Sequence, residues 1–279
     1  MPIITLTTDF GLKDPSVAAV KGAIYAELNQ AKIIDITHMI PPFDISAAAY
    51  IIKNAYKTFP KGSIHILGVD SELTPENKHI AVKLDDHYFI GANNGIISLI
   101  SNEIVPEICV EINIHDKTVS NFPVLDIFVQ VAAHISRGGT LEVIGKRIKD
   151  IKQLKNIEPT VQKTEKGTQI RGDVIYVDNY GNAISNISRK FFKNVAKGRN
   201  FTISARGFNF NKIYDNYSDA IDFSVPKPDR IEEEGKKIAL FNTSDYLEIA
   251  IYKSNPQTVG SASTLLGLKI MDAITINFE

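Results

Sequence analysis

The sequence predicts an α/β domain built on parallel strands, followed by a second domain of short strands that forms a compact barrel or sandwich. Strand-like and helix-like runs alternate through the first half, and strands separated by helices of that length pair in parallel through right-handed crossovers. A polar stretch at about 147–168, rich in Lys, Glu, Gln and Thr and punctuated by Pro159 and Gly167, marks a domain boundary. Beyond it the pattern holds short strands at regular spacing.

The first strand, 3–6, runs into Thr7-Thr8-Asp9-Phe10-Gly11 and then into an apolar helix at 15–28 that carries Lys21-Gly22. Asp9 thereby stands at the carboxyl end of a first strand, where open α/β sheets bind their ligands. A carboxylate there either caps the following helix or faces a ligand. A second strand at 32–36 leads to Asp35-Ile36-Thr37-His38, and Pro41-Pro42-Phe43-Asp44 precedes a helix at 45–56 whose Ala47-Ala48-Ala49 suits close packing. His38 has the chemistry of a ligand or base and equally that of a loop residue bonded to backbone, while Asp44 reads as a helix cap.

The third strand, 63–69, ends in Gly68-Val69-Asp70 and brings a second carboxylate to the edge that holds Asp9. Strands at 80–84 and 88–91 flank Asp85-Asp86-His87 as a hairpin added to the sheet, and Asn93-Asn94-Gly95 reads as a turn or a ligand contact. A helix at 126–136 presents Ile127, Val131 and Ile135 on one face and stops at Gly138-Gly139.

In the second half, strands are expected at 172–177, 183–187, 200–204, 237–241, 247–251 and 273–278, with a solvated loop at 223–235. Asp178-Asn179-Tyr180-Gly181-Asn182 joins the first two of these. A hairpin turn explains Gly181-Asn182 but does not require Asp178 and Tyr180 as well. Aromatic and amide side chains beside a carboxylate suit a ligand with a flat base and a cationic end.

Lys plus Arg (31) nearly balance Asp plus Glu (32), so charge gives no case for nucleic acid or an anionic membrane, and a small molecule is the expected partner. The single cysteine, Cys109, rules out an intramolecular disulfide framework and a cysteine-rich zinc site, and reads as buried and inert. The chain opens on a strand, without a basic segment and long apolar run, and no later stretch reaches membrane-spanning length. A cytoplasmic protein is expected.

Several segments fall in a telling order: Thr-Thr-Asp-Phe-Gly at 7–11, Lys21-Gly22, Asp35-Ile36-Thr37-His38, Phe59-Pro60-Lys61-Gly62-Ser63, Gly68-Val69-Asp70 and Asn94-Gly95. Asp126-Ile127-Phe128, Asp178-Asn179-Tyr180-Gly181-Asn182, Tyr246-Leu247-Glu248-Ile249-Ala250 and Leu266-Gly267-Leu268-Lys269 follow. Taken together, the chain closely resembles the S-adenosylmethionine hydroxide adenosyltransferase family, relatives of the fluorinase and chlorinase enzymes. The resemblance implies a Rossmann-like α/β nucleoside-binding domain at 1–160 and a smaller β-barrel domain at 168–279. It also implies a homotrimer whose ligand lies between the first domain of one subunit and the second domain of its neighbour.

By that resemblance S-adenosylmethionine is substrate or ligand, and no further cofactor is expected. Asp9 would accept hydrogen bonds from the ribose hydroxyls and Phe43 would pack against the nucleoside. Asp178 would hold the ammonium group of the methionine part, with Tyr180 and Asn182 facing the adenine. Thr243 and Ser244 fall where relatives bind the methionine carboxylate, and Tyr217 is a further stacking candidate.

The family reaction is displacement at the ribose 5′ carbon, with methionine leaving as a neutral thioether. Asp70 occupies the acid position, but Asn77 stands where the family pattern places Arg, and Pro123 stands where relatives carry His. Proline offers no proton chemistry and asparagine no permanent charge. Lys78 and His79, read as an exposed strand-entry pair, are the candidate substitutes. An S-adenosylmethionine-cleaving enzyme, slow or with rearranged groups, therefore stands beside a binding protein that kept the nucleoside site but lost turnover, and beside a purely structural homologue. A halide-using enzyme ranks below these, since an anionic Asp70 would repel halide.

Overall fold

The computed structural model describes residues 2–101, 104–114, 120–164 and 167–279. The chain divides into two compact units, Met1–Asn156 and Ile157–Glu279.

The first unit contains β1 (Ile3–Thr8), α1 (Ser16–Glu27), β2 (Lys32–Thr37), α2 (Ile45–Ala55), β3 (Ile64–Gly68), β4 (His79–Leu84) and β5 (His87–Ala92). It continues with α3 (Ile96–Ser101), β6 (Ile108–Ile112), α4 (Val129–Ser136), α5 (Leu141–Ile144) and β7 (Gly145–Arg147). The strands form one sheet in the order β2-β1-β3-β5-β4-β6-β7. The first four are parallel and the rest antiparallel, so the expected crossovers and the expected β4–β5 hairpin are both present.

Helices cover both faces of the central strands, so Ile4, Leu6, Ile64 and Ile66 are buried on one face and Thr5, Thr7, His65 and Leu67 on the other. Asp44 caps α2 as expected, its Oδ1 accepting the Ala47 N–H at 2.9 Å. The small side chains of Ala47, Ala48 and Ala49 are all buried. By contrast, α1 starts after Pro15 with no side-chain cap, so Asp9 is not a helix cap.

The helix expected at 126–136 starts earlier, in a π-helical turn at Val124–Phe128 that runs into α4, with Pro123 at its N-cap. Proline suits a helix start because its missing N–H would be unpaired there anyway. Ile127, Val131 and Ile135 face the core as expected. The short α3, with five of its six residues buried, shows no amphipathic period to read.

The second unit contains β8 (Thr160–Thr164), β9 (Gly167–Val177), β10 (Ala183–Ser188), α6 (Arg189–Ala196), β11 (Phe201–Ala205) and β12 (Phe208–Phe210). It ends with β13 (Lys237–Phe241), β14 (Tyr246–Ile251) and β15 (Ala273–Phe278). The order β12-β11-β15-β9-β10-β14-β13, with β8 added on β9, is antiparallel throughout and nearly closes as a barrel. Its interior is filled by Ile170, Val174, Ile203, Leu247, Ile249 and Ile276.

Three elements depart from expectation, among them the short strand β12 that pairs with β11. β8 lies inside the stretch read as a polar boundary, because an edge strand can be almost wholly solvated. α6 is capped by Ser188, which accepts the Phe191 N–H at 3.1 Å, and is held by Phe192 and Ala196 on its inner face. Among the described residues no helix is long and apolar enough to cross a membrane.

Candidate functional site

In the first unit the chain leaves β1 for β2 on one side and then returns to β3 on the other. That reversal opens a crevice between the carboxyl ends of β1 and β3, the place where open α/β sheets bind ligands. Thr8 and Gly68 are paired in register at those ends, and the Asp9 N–H donates to the Gly68 carbonyl at 3.4 Å. Asp9 and Asp70 therefore emerge from neighbouring strands at one edge.

The Asp9 carboxylate is held from across the loop, with Oδ2 accepting the Phe43 N–H at 2.9 Å. Phe43 adopts φ of 64°, a left-handed conformation costly for a bulky residue, and its side chain is 72% exposed. Beneath them His38 is buried, with Nδ1 2.8 Å from Thr8 Oγ1. Its Nε2 lies 3.1 Å from Asp35 Oδ1. The His38 carbonyl accepts the Gly11 N–H at 2.8 Å, so this histidine braces the Asp9 loop from behind.

Asp70 sits in a turn with φ of 44°. The Asn94 amide supports that turn by donating to the Val69 carbonyl at 2.9 Å and to the Asp70 carbonyl at 3.3 Å. Asn77 Nδ2 donates to Asp70 Oδ2 at 3.3 Å, while Asn77 Oδ1 accepts from Lys152 Nζ at 3.2 Å. Lys78 is exposed as expected, but His79 is not: it is buried, with Nε2 2.9 Å from the Ser71 carbonyl and its ring edge-on to Phe128. Near Pro123, Asp126 Oδ2 accepts from Ser120 Oγ at 2.6 Å, and Phe122 packs edge-on against Phe10 at 5.4 Å between centroids.

In the second unit Asp178 organises its turn. Oδ1 accepts the Tyr180 and Asn182 N–H groups at 2.9 and 2.8 Å, and Oδ2 accepts Asn182 Nδ2 at 2.9 Å. Gly181 has φ of 74° and would drive a Cβ into Ser261 Oγ, so only glycine fits. Asn182 is buried, and its Oδ1 has no partner among the described residues. Tyr180 is 63% exposed.

Glu248 is a residue whose part in this region sequence reasoning missed. It is 2% exposed on β14 and accepts the Tyr217 hydroxyl at 2.7 Å. Burial pushes its carboxyl above the usual range and the Asp178 charge adds to this, against opposing hydrogen bonds from Tyr217 and Asn242. The Tyr217 hydroxyl is likewise pushed up, first by burial and then by Glu248. Asn242 Oδ1 accepts the Ser244 and Tyr246 N–H groups at 3.0 and 3.1 Å, linking the Thr243-Ser244 turn to Glu248. The available signal was a lone carboxylate within the apolar run Leu247–Ala250. Asp9, Phe43 and Asp70 belong to the first unit; Asp178, Tyr180, Asn182, Tyr217, Thr243 and Ser244 belong to the second.

Comparison with known proteins matches residues 4–145 to the SAM hydroxide adenosyltransferase N-terminal domain and residues 172–275 to the C-terminal domain of the same family. The (R)-S-adenosyl-L-methionine hydrolase of Methanocaldococcus jannaschii is 28% identical, over 99% of this chain and 96% of that protein. A fluorinase of Actinopolyspora mzabensis is 20% identical, over 89% of this chain and 90% of that protein. The crystal structure of an uncharacterized conserved protein from Thermotoga maritima superposes with a TM-score of 0.82 at 28% identity, covering 98% of this chain and 99% of that one. With both domain families matched in order over most of its length, the chain belongs to the SAM hydroxide adenosyltransferase family.

Proposed function

We propose that this protein binds S-adenosylmethionine and hydrolyses it at the ribose 5′ carbon to adenosine and methionine. The observation that carries this reading is the pair of acids, Asp9 and Asp70, flanking the β1/β3 crevice. In the reaction a water oxygen bonds to the 5′ carbon as the carbon–sulfur bond breaks. The sulfur keeps the electron pair as a neutral thioether, and the water gives up a proton. The protein's task is to hold water in line with that bond and strip competing solvent.

In this reading Asp9 binds the ribose hydroxyls, Phe43 packs on the nucleoside, and Asp70 holds the water. Asp178 receives the methionine ammonium, and Tyr180 and Asn182 face adenine, an N–H donor for the unpaired Asn182 Oδ1. The turn at Thr243 and Ser244 receives the methionine carboxylate, and Tyr217 offers its ring while its hydroxyl is engaged by Glu248. The aromatic candidates Phe43, Tyr180 and Tyr217 are all exposed on a single chain, which suits a homotrimer with sites completed by a second copy. The lone free thiol, Cys109, accords with work in the cytoplasm.

One observation favours a second reading, a protein that binds the nucleoside without turning it over. Asn77 and Pro123 stand at the positions of the Arg and His in the family pattern, and Pro123 is committed to a helix start. A halide-using reaction is disfavoured by a carboxylate at Asp70. Titration calorimetry with S-adenosylmethionine and with adenosine tests the binding common to the first two readings. Heat of binding for both ligands is expected, and none for either would overturn both.

A further inference from the structure

Residues 146–171 fall outside both matched domain families, yet the first part of this stretch is fixed to the first unit. The Lys152 N–H donates to Asn93 Oδ1 at 2.8 Å, and the Leu154 N–H donates to Ser98 Oγ at 2.9 Å. The Leu154 side chain occupies the space a Cβ would need at Gly95, which has φ of 107°. Lys152 thus extends from an anchored backbone toward the turn that carries Asp70.

The contacts form a chain: Lys152 Nζ to Asn77 Oδ1 at 3.2 Å, then Asn77 Nδ2 to Asp70 Oδ2 at 3.3 Å. A primary amide has two orientations of almost the same shape, distinguished only by its partners. An ammonium group only donates and a carboxylate only accepts. Both charges therefore select the same orientation, with the carbonyl toward Lys152 and the NH2 toward Asp70. The flipped amide would set donor against donor at one end and acceptor against acceptor at the other.

We propose that Lys152 is a positioning residue for the hydrolytic reaction, locking Asn77 so that its N–H groups face Asp70 and the water held there. One N–H serves the carboxylate, and the second, with no partner among the described residues, donates to the water oxygen. The ammonium also polarises the amide, which strengthens its N–H donors. Positive charge reaches the acid at one remove, through a residue that carries none. This inference rests on the hydrolytic reading given above.

Two measurements on the full chain test it: kcat and KM for S-adenosylmethionine across pH, and the side-chain amide NMR signals of Asn77, assigned by their loss in Asn77→Ala. Lys152→Met is expected to lower kcat about tenfold, the scale of one charge-assisted contact, with KM changed less than about twofold. Lys152→Arg is expected to recover to within about threefold of the parent, since it restores a cationic donor. The Asn77 amide signals should move in Lys152→Met, return in Lys152→Arg, and stay put in Lys155→Met, a change at an exposed neighbour. Unmoved Asn77 signals in Lys152→Met would overturn the proposal with or without turnover. A parent protein that forms no adenosine would instead overturn the hydrolytic reading, while the amide signals still decide the role of Lys152.

Discussion

Asp9 and Asp70 leave adjacent parallel strands on the two sides of the crevice where the strand order reverses, with the Asp9 N–H bonded to the carbonyl of Gly68, two residues before Asp70. Neither acid is spent on capping α1, which has no side-chain cap. Asp9 accepts the Phe43 N–H and Asp70 the Asn77 amide through one oxygen each, and the account stands on the other oxygen of each acid meeting a ligand.

Asp9→Ala should weaken adenosine binding more than tenfold, since a hydrogen bond to a charged group is worth roughly 1.5–3 kcal/mol. Calorimetry on parent and variant checks this. Asp9 is removed from the site if the affinity is unchanged.

Phe43→Gly should separate stability from binding. At φ of 64° the phenylalanine carries a left-handed cost of about 1–2 kcal/mol, and its exposed ring recovers little by burial. The glycine variant should melt at a higher temperature and bind adenosine less tightly. A lower melting temperature would show that the ring is packed in the free protein.

The raised carboxyl of Glu248 gives a pH signature with a definite sign. A folded-state value above the unfolded one means the native protein binds more protons between the two values. The stabilising share is full below the unfolded value near 4.5 and falls as pH rises through the raised one. Glu248→Gln keeps a partner for the Tyr217 hydroxyl and removes the titration. Its melting temperature should vary less with pH over this window and exceed the parent's at neutral pH; parallel pH curves would contradict the burial argument.

Much of this was legible in the sequence because it rests on local chemistry. Alternating β and helical runs revealed the parallel sheet, and Asp44 three residues before Ala47 revealed the α2 cap. What the sequence does not show depends on contacts distant in the chain or on patterns too short to have a period. Glu248 looked like one polar residue in an apolar strand until Tyr217 closed over it from 31 residues away. Lys152 lies in a stretch that reads as solvated linker, and only the fold brings it to Asn77, 75 residues earlier. His79 looked exposed because it follows Lys78, whereas strand pairing of β4 with β5 and β6 carries it inward.

The central claim is that water displaces methionine at the 5′ carbon, and the most direct measurement is incubation of the protein with S-adenosylmethionine in 18O-labelled water, with chromatography and mass spectrometry of the nucleoside. The account predicts adenosine carrying one 18O atom at the 5′ position, formed in amounts exceeding the protein present. Bound S-adenosylmethionine with no adenosine released, or adenosine without the label, would contradict it.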